Sequence, residues 1–359
     1  MSLRYIAASL GLSVTTVSRA LAGYSDVAEE TRRRVKAEAE RIGYVPNAIA
    51  RRLQKGRTDA IGVVAPAGPD AISDTNLYTA VISAWAKLSE FDRDMVMLPT
   101  TAEGDARSPE SRIMRRAVEE RRIDGLLLLR TRNDDWRIPY LRAARIPFAV
   151  FGASHPDMPE ITAIGVDDER GAEEVLARLT DFGHRRIGLV IPEGDYAFAA
   201  SRVATFVERA GDFRVDLGIV SAPFDEDGGR SATARLLGME DHPTAIIYCA
   251  GRMALGGLRA ISDSVLVPGR HVSVISYGDN SGLLYASPPV TAMRAPVEQM
   301  VRHAIDVLVG EIDGKPIEPI RGWPLTLVRR QSDGPLVPHA RDEQRFGNSS
   351  SLETPVEGA

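Results

Sequence analysis

A single cysteine, Cys249, in 359 residues excludes an internal disulfide and any multi-cysteine metal site. Histidine is almost as scarce, and His155, His184, His242, His271, His303 and His339 have no metal-ligand spacing. Aromatic residues make up 6% of the chain, and Trp85, Trp136 and Trp323 read as packing residues. No stretch of 18 apolar residues exists and Ser2 to Leu10 is no signal sequence, so a cytoplasmic protein without membrane contact is expected. A Gly-x-Ser-x-Gly elbow, a phosphate loop and His-Glu-x-x-His are all missing. Gly228-Gly229 and Gly256-Gly257 read as turn or packing glycines. Neither an enzyme nor a cofactor is expected.

What the chain does have is positive charge gathered at its start. Residues 1–57 hold 11 Lys and Arg against 5 Asp and Glu, a net of +6, whereas residues 58–359 hold 33 against 44, a net of −11. A basic head on an acidic body is the footprint of a phosphate-binding module joined to something else. Within the head, Ile6, Ala7 and Leu10 share one helical face, Gly11 supplies a tight turn, and Val14, Val17 and Leu21 repeat the pattern on a second helix. Thr15, Thr16, Ser18 and Arg19 are then free to face outward, and such donors and acceptors at the start of a helix suit a major-groove reader.

A second signal lies at residues 46–58. Pro46 and Asn47 can start and cap a short helix, Ile49 and Leu53 fall four apart, and Arg51, Arg52, Lys55 and Arg57 surround them. A helix of about two turns is marginal by itself, so it is expected to form only when DNA or a second copy holds it.

These segments resemble the lac repressor (LacI/GalR) family of transcription regulators. The resemblance runs from residue 3 to about 332 and is carried by Thr16-Val17-Ser18-Arg19-Ala20-Leu21, Thr31-Arg32-Arg33-Arg34-Val35 and Gly43-Tyr44-Val45-Pro46-Asn47-Ala48-Ile49-Ala50-Arg51-Arg52-Leu53. It implies that Val14, Thr15 and Arg19 occupy base-reading positions and that Leu53 wedges into the minor groove, where an inserted apolar side chain bends the duplex. The expected partners are an operator in double-stranded DNA, a second copy of the chain and a small-molecule effector.

After residue 59, apolar runs at 61–64, 95–98, 125–129, 148–151, 187–191, 245–248 and 272–275 alternate with helical segments, a parallel-sheet rhythm that occurs twice. The expected fold is an all-α helix-turn-helix headpiece (1–45), a hinge (46–58) and an α/β effector domain (59–332). By the resemblance that domain is like a periplasmic binding protein, with two doubly wound parallel-sheet subdomains and chain crossings near 160–165, 286–292 and 319–324. Ligands bind beyond the carboxyl ends of strands, so the effector site falls between the subdomains.

The resemblance makes Arg202 the arginine that holds ligand hydroxyls or carboxylates, and Phe224 an aromatic that stacks on ligand rings or packs in the core. Asp74 and Asn76, after the first strand, are candidate contacts, and both also suit helix caps. Two departures stand out. Ala250-Gly251-Arg252 replaces the Asn-Asp that commonly precedes Met-Ala-Leu-Gly, and Tyr277-Gly278-Asp279 replaces Phe-Asp-Asp. Of the carboxylates that usually grip sugar hydroxyls, Asp279 alone then remains. With Arg252 near Arg202 the cleft favours a sugar acid or sugar phosphate; with Arg252 in solvent a neutral carbohydrate stays open.

Residues 333–359 lack apolar periodicity and are expected to be a disordered tail without a tetramer-forming leucine heptad, which leaves a dimer. The leading expectation is a dimeric, effector-controlled repressor. The alternatives are a ligand-dependent activator or corepressor-type regulator, and a solute-binding or sugar-processing protein with the same body; a basic head and no signal sequence argue against the latter.

Overall fold

The computed structural model describes residues 2–21, 23–44, 57–66, 74–100, 107–152 and 161–337. Among the described residues the head has three helices: α1 (Leu3–Leu10), α2 (Val14–Leu21) and α3 (Glu29–Arg41). Ile6 and Ala7 of α1, Val17 and Ala20 of α2, and Val35 and Ala39 of α3 close a small core. Gly11 makes the turn possible with a φ of 65°, a left-handed value that costs glycine little.

The body alternates strand and helix in the order β1 (Ala60–Pro66), α4 (Thr75–Glu90), β2 (Asp94–Thr100), α5 (Pro109–Glu119), β3 (Gly125–Leu129), α6 (Arg137–Ala144), β4 (Phe148–Phe151) and β5 (Thr162–Val166). A second series follows: α7 (Asp168–Asp181), β6 (Arg186–Pro192), α8 (Ala197–Asp212), β7 (Asp216–Ala222), α9 (Glu226–Leu237), β8 (Ala245–Tyr248), α10 (Gly251–Ser262), β9 (Ser273–Tyr277), α11 (Ser281–Leu284) and β10 (Thr291–Arg294). The last elements among the described residues are α12 (Val297–Ile312), β11 (Gly322–Trp323) and β12 (Thr326–Val328).

Two six-stranded sheets result, ordered β11-β5-β4-β3-β1-β2 and β12-β10-β9-β8-β6-β7. Central strands such as Gly125–Leu129 are buried along their whole length, because helices cover both faces. One pairing departs from the parallel expectation: β12 runs antiparallel to β10, with Ala292 opposite Val328. The chain enters β12 directly from β11 of the other sheet, only two residues earlier, and so meets this edge from the opposite direction to the strands that follow crossover helices.

The chain passes between subdomains at residue 167, at 295–296 and at 324–325; the first two lie just beyond the ranges expected, and the third meets the end of its range. α12 returns to the first subdomain, where Met300, Val301, Ile305 and Leu308 join its core.

Residues 333–337, expected to begin a disordered tail, are docked. Asp333 pairs with Arg178 and accepts a hydrogen bond from Thr291. Ser332, fully buried, donates to the Val274 carbonyl at 2.6 Å, and the Leu336 amide donates to the Phe182 carbonyl. Polar side chains hold this segment, which is why apolar periodicity gave no sign of it. The rest of the expected tail, 338–359, lies outside the described residues.

Candidate nucleic-acid interface and interdomain cleft

The second helix of the head begins at a serine cap. The Thr16 amide donates to Ser13 Oγ at 3.0 Å, which satisfies one of the free donors of the first turn. Val17 and Ala20 fill the contact with α1, so Val14, assigned to the apolar repeat, instead stands 42% exposed in the first turn. Thr15 and Arg19 are exposed beside it, and Thr16 and Ser18 are half-buried. The Arg19 guanidinium pairs with Asp26 and lies 4.7 Å from the Tyr24 ring centre, so it is held against the head. Asn47, Arg51, Arg52 and Leu53 lie outside the described residues.

Between the two sheets, at the carboxyl ends of β3, β4, β8 and β9, is a cleft of about 1120 Å3 counted to its open mouth. Three arginines reach into it from different elements, and each meets a carboxylate. Arg202 of α8 approaches Asp168 at 3.4 Å, donates to the Cys249 carbonyl at 2.8 Å, and covers the Tyr277 ring at 4.7 Å and Phe198 at 5.1 Å. Arg252 of α10 bonds Glu226 at 2.9 Å. Arg130, directly after β3, pairs with Asp74 and lies 4.7 Å from the Phe224 ring centre. The close approach of α9 and α10 that brings Glu226 to Arg252 depends on glycine, since a Cβ at Gly256 would lie 1.7 Å from the Glu226 carbonyl oxygen.

Several expectations change here. Arg252 lines the cleft rather than facing solvent, yet with its charge answered. Phe224 also lines it, but Arg130 covers its ring and Tyr196 and Phe198 pack around it at 5.5 and 5.9 Å between ring centres. Asp279, expected as the surviving ligand carboxylate, is turned away. It bonds Arg330 at 2.8 Å and Arg294 at 2.6 Å and borders a neighbouring shallow pocket instead. Burial raises the pKa of its carboxyl, and the two arginines outweigh that and hold it below the ordinary range. Asp74 caps α4 through the amides of Asn76 and Leu77 and faces the cleft as well, with Asn76 beside it.

Arg130, Phe151, Phe198 and Asn280 line the cleft and were not singled out in the sequence. For Arg130 a signal existed: it ends the run Gly125-Leu126-Leu127-Leu128-Leu129, and the residue after a central parallel strand faces the ligand crevice. Cys249 lies at the cleft wall, where burial pushes its thiol pKa up to about 12 and keeps it protonated. Among the described residues no group of His, Cys, Asp and Glu is arranged to hold a metal, and no helix is long and apolar enough to cross a membrane.

Residues 2–47 match the family described as bacterial regulatory proteins, lacI family, and residues 176–332 match a periplasmic binding protein-like domain. The HTH-type transcriptional regulator RafR of Escherichia coli is 36% identical over 251 residues, 69% of this chain and 72% of RafR. The chain belongs to the lacI family. It is a helix-turn-helix transcriptional regulator with a periplasmic-binding-protein-like effector domain. Among solved structures, a complex of the transcriptional regulator CelR with cellobiose superposes on this lacI-family chain with a TM-score of 0.70 at 26% identity, covering 92% of this chain and 99% of that one. The lac repressor dimer bound to operator and the anti-inducer ONPF gives 0.78 at 23% identity, covering 93% and 99%, and supports the fold.

Proposed function

We propose that this lacI-family regulator is a cytoplasmic, non-enzymatic repressor that binds a near-palindromic operator as a dimer and is released by a neutral carbohydrate in the cleft. The observation that carries the ligand class is charge balance. Arg130, Arg202 and Arg252 each meet a carboxylate, so the cleft offers alternating donors and acceptors and little excess positive charge. Neutral hydroxyls, which both donate and accept, suit that lining better than a carboxylate or phosphate, which only accepts. Arg202, Arg252, Asp74 and Asn76 are the contacts in this reading. Phe224 seats Arg130, and Asp279 braces the wall.

In the head, Val14, Thr15, Thr16, Ser18 and Arg19 present the base-reading surface, with Asn47, Arg51, Arg52 and Leu53 following in the hinge. Dimerisation is supported by Tyr78, Ile82 and Trp85, exposed at i, i+4 and i+7 along α4, with exposed Met97 on β2. Ligand in the cleft changes the hinge and hence operator affinity, and a coupling of about 1–3 kcal/mol corresponds to roughly 5- to 150-fold.

A thermal-shift panel of neutral mono- and disaccharides, cellobiose included, against their acid and phosphate counterparts tests the ligand class. Neutral sugars are expected to stabilise the protein and weaken its hold on an operator selected from random duplexes. Stabilisation by the anionic members alone would overturn the charge-balance argument.

A further inference from the structure

Four arginines in the described chain have a left-handed backbone: Arg121, Arg130, Arg145 and Arg214, with φ between 49° and 53°. Arg121, Arg145 and Arg214 follow helices, where such a residue commonly ends the last turn. Arg130 follows a strand. A glycine would take this conformation without a side-chain clash, so an arginine held there points to a use for its side chain.

The loop behind it is rigidly built. Asp135 and Arg137 are a buried ion pair, their side chains 1% and 5% exposed and joined at 2.5 Å. Asp135 also accepts from the amides of Arg132 and Arg137 at 3.1 Å, and Arg137 reaches the Arg130 carbonyl at 3.4 Å. These bonds lie within the first subdomain and fix the path from 130 to 137. The same loop then touches the second subdomain: the Ala197 amide donates to the Thr131 carbonyl at 3.0 Å, and Asn133 donates to Asp195 at 2.5 Å. Arg130 itself bridges the gap, paired with Asp74 on one side and lying on Phe224 of the other.

We propose that Arg130 is a specificity-determining residue of the cleft. With Asp74 it reads two neighbouring hydroxyls of a sugar, one accepting from the guanidinium and one donating to the carboxylate, and its seat on Phe224 ties that recognition to closure of the subdomains. The guanidinium has five N–H donors and the ion pair engages one of its nitrogens, so donors remain for a ligand. An anionic group at the same place would face Asp74 and be repelled. This inference rests on the carbohydrate reading above.

The test uses the full-length protein and the sugar panel. First the wild type is titrated calorimetrically with the panel members that stabilise it, and then Arg130→Gly and Arg130→Lys are titrated with the neutral sugar that binds best. Arg130→Gly relieves the left-handed strain, so its melting temperature should equal or exceed that of the wild type while sugar affinity falls by about tenfold or more. Arg130→Lys keeps the charge but loses the planar fork and the flat seat on Phe224, and a similar fall is expected. A structural bolt would behave differently: lower melting temperature with unchanged affinity overturns the proposal. Wild type that binds no neutral sugar removes the carbohydrate reading and this proposal together. Wild-type binding that survives both variants removes this proposal alone.

Discussion

Arg19 shows how a single side chain can be prepared and restrained at once. Its ion pair with Asp26 and its place over Tyr24 fix it on the exposed face of α2, so contact with a base edge has to compete with Asp26. Exposed ion pairs contribute about 0.2–1 kcal/mol, whereas a bidentate arginine–guanine contact discriminates by about 1–3 kcal/mol. The base contact should therefore win. Asp26→Asn is expected to tighten operator binding by up to about fivefold, and Arg19→Ala to relax base preference in each half-site. Electrophoretic titration on the selected operator and on single-base variants measures both. Weaker binding by Asp26→Asn would mean that the pair orients Arg19 for the groove rather than restraining it.

At the scale of elements, a histidine buried beside the docked segment after β12 makes the second subdomain sensitive to acid. His184, 2% exposed, sits between the hydroxyls of Thr244 and Ser273 at 2.9 Å, with the Gly334 carbonyl at 3.1 Å. Burial lowers its pKa, against smaller opposing effects of the Gly334 carbonyl and Asp333. The folded state thus favours the neutral ring, while the unfolded chain takes up a proton near pH 6.5. Stability is then complete above that pH and declines below it, by at most about 1.4 kcal/mol per pH unit, until the folded pKa is reached. Urea midpoints at pH 7.5 and 5.5 should show this loss, and His184→Gln should flatten the slope over the same interval. An equal slope in the variant would assign the acid sensitivity to other groups.

For the whole molecule the decisive surface is the stripe of Tyr78, Ile82 and Trp85. Trp85, expected to be a packing residue, is 56% exposed, and three large apolar side chains at helical spacing are costly to leave in water. Trp85→Asp should turn a dimer into a monomer in sedimentation experiments and lower operator affinity by about 10²- to 10⁴-fold, because two linked heads no longer bind as one unit. Sugar affinity should stay near wild type, since Trp85 does not line the cleft. A monomer with undiminished operator affinity would contradict the two-headed mode of binding.

What the sequence determined by itself was whatever repeats locally. Helical spacing of Ile6, Ala7 and Val17, the turn at Gly11 and the apolar runs from Ile61 to Val274 specified the head and two parallel sheets, because burial periodicity is a property of neighbouring residues. Arg202, Phe224 and Arg252 were singled out only through the family resemblance and its departures, and the folded chain brings all three to the lining of the cleft. Tertiary structure alone decided which charge meets which. Asp279 lies two residues after Tyr277 in the chain, but its carboxylate is taken by Arg330 and Arg294, while Asp168 and Glu226, unremarkable in sequence, neutralise Arg202 and Arg252. Ion pairs between residues tens of positions apart leave no periodic trace, and so the charge of the cleft could not be counted before the subdomains were folded. The same holds for Ser332 and Asp333, whose hydrogen bonds to Val274 and Thr291 order a segment that composition assigned to a disordered tail.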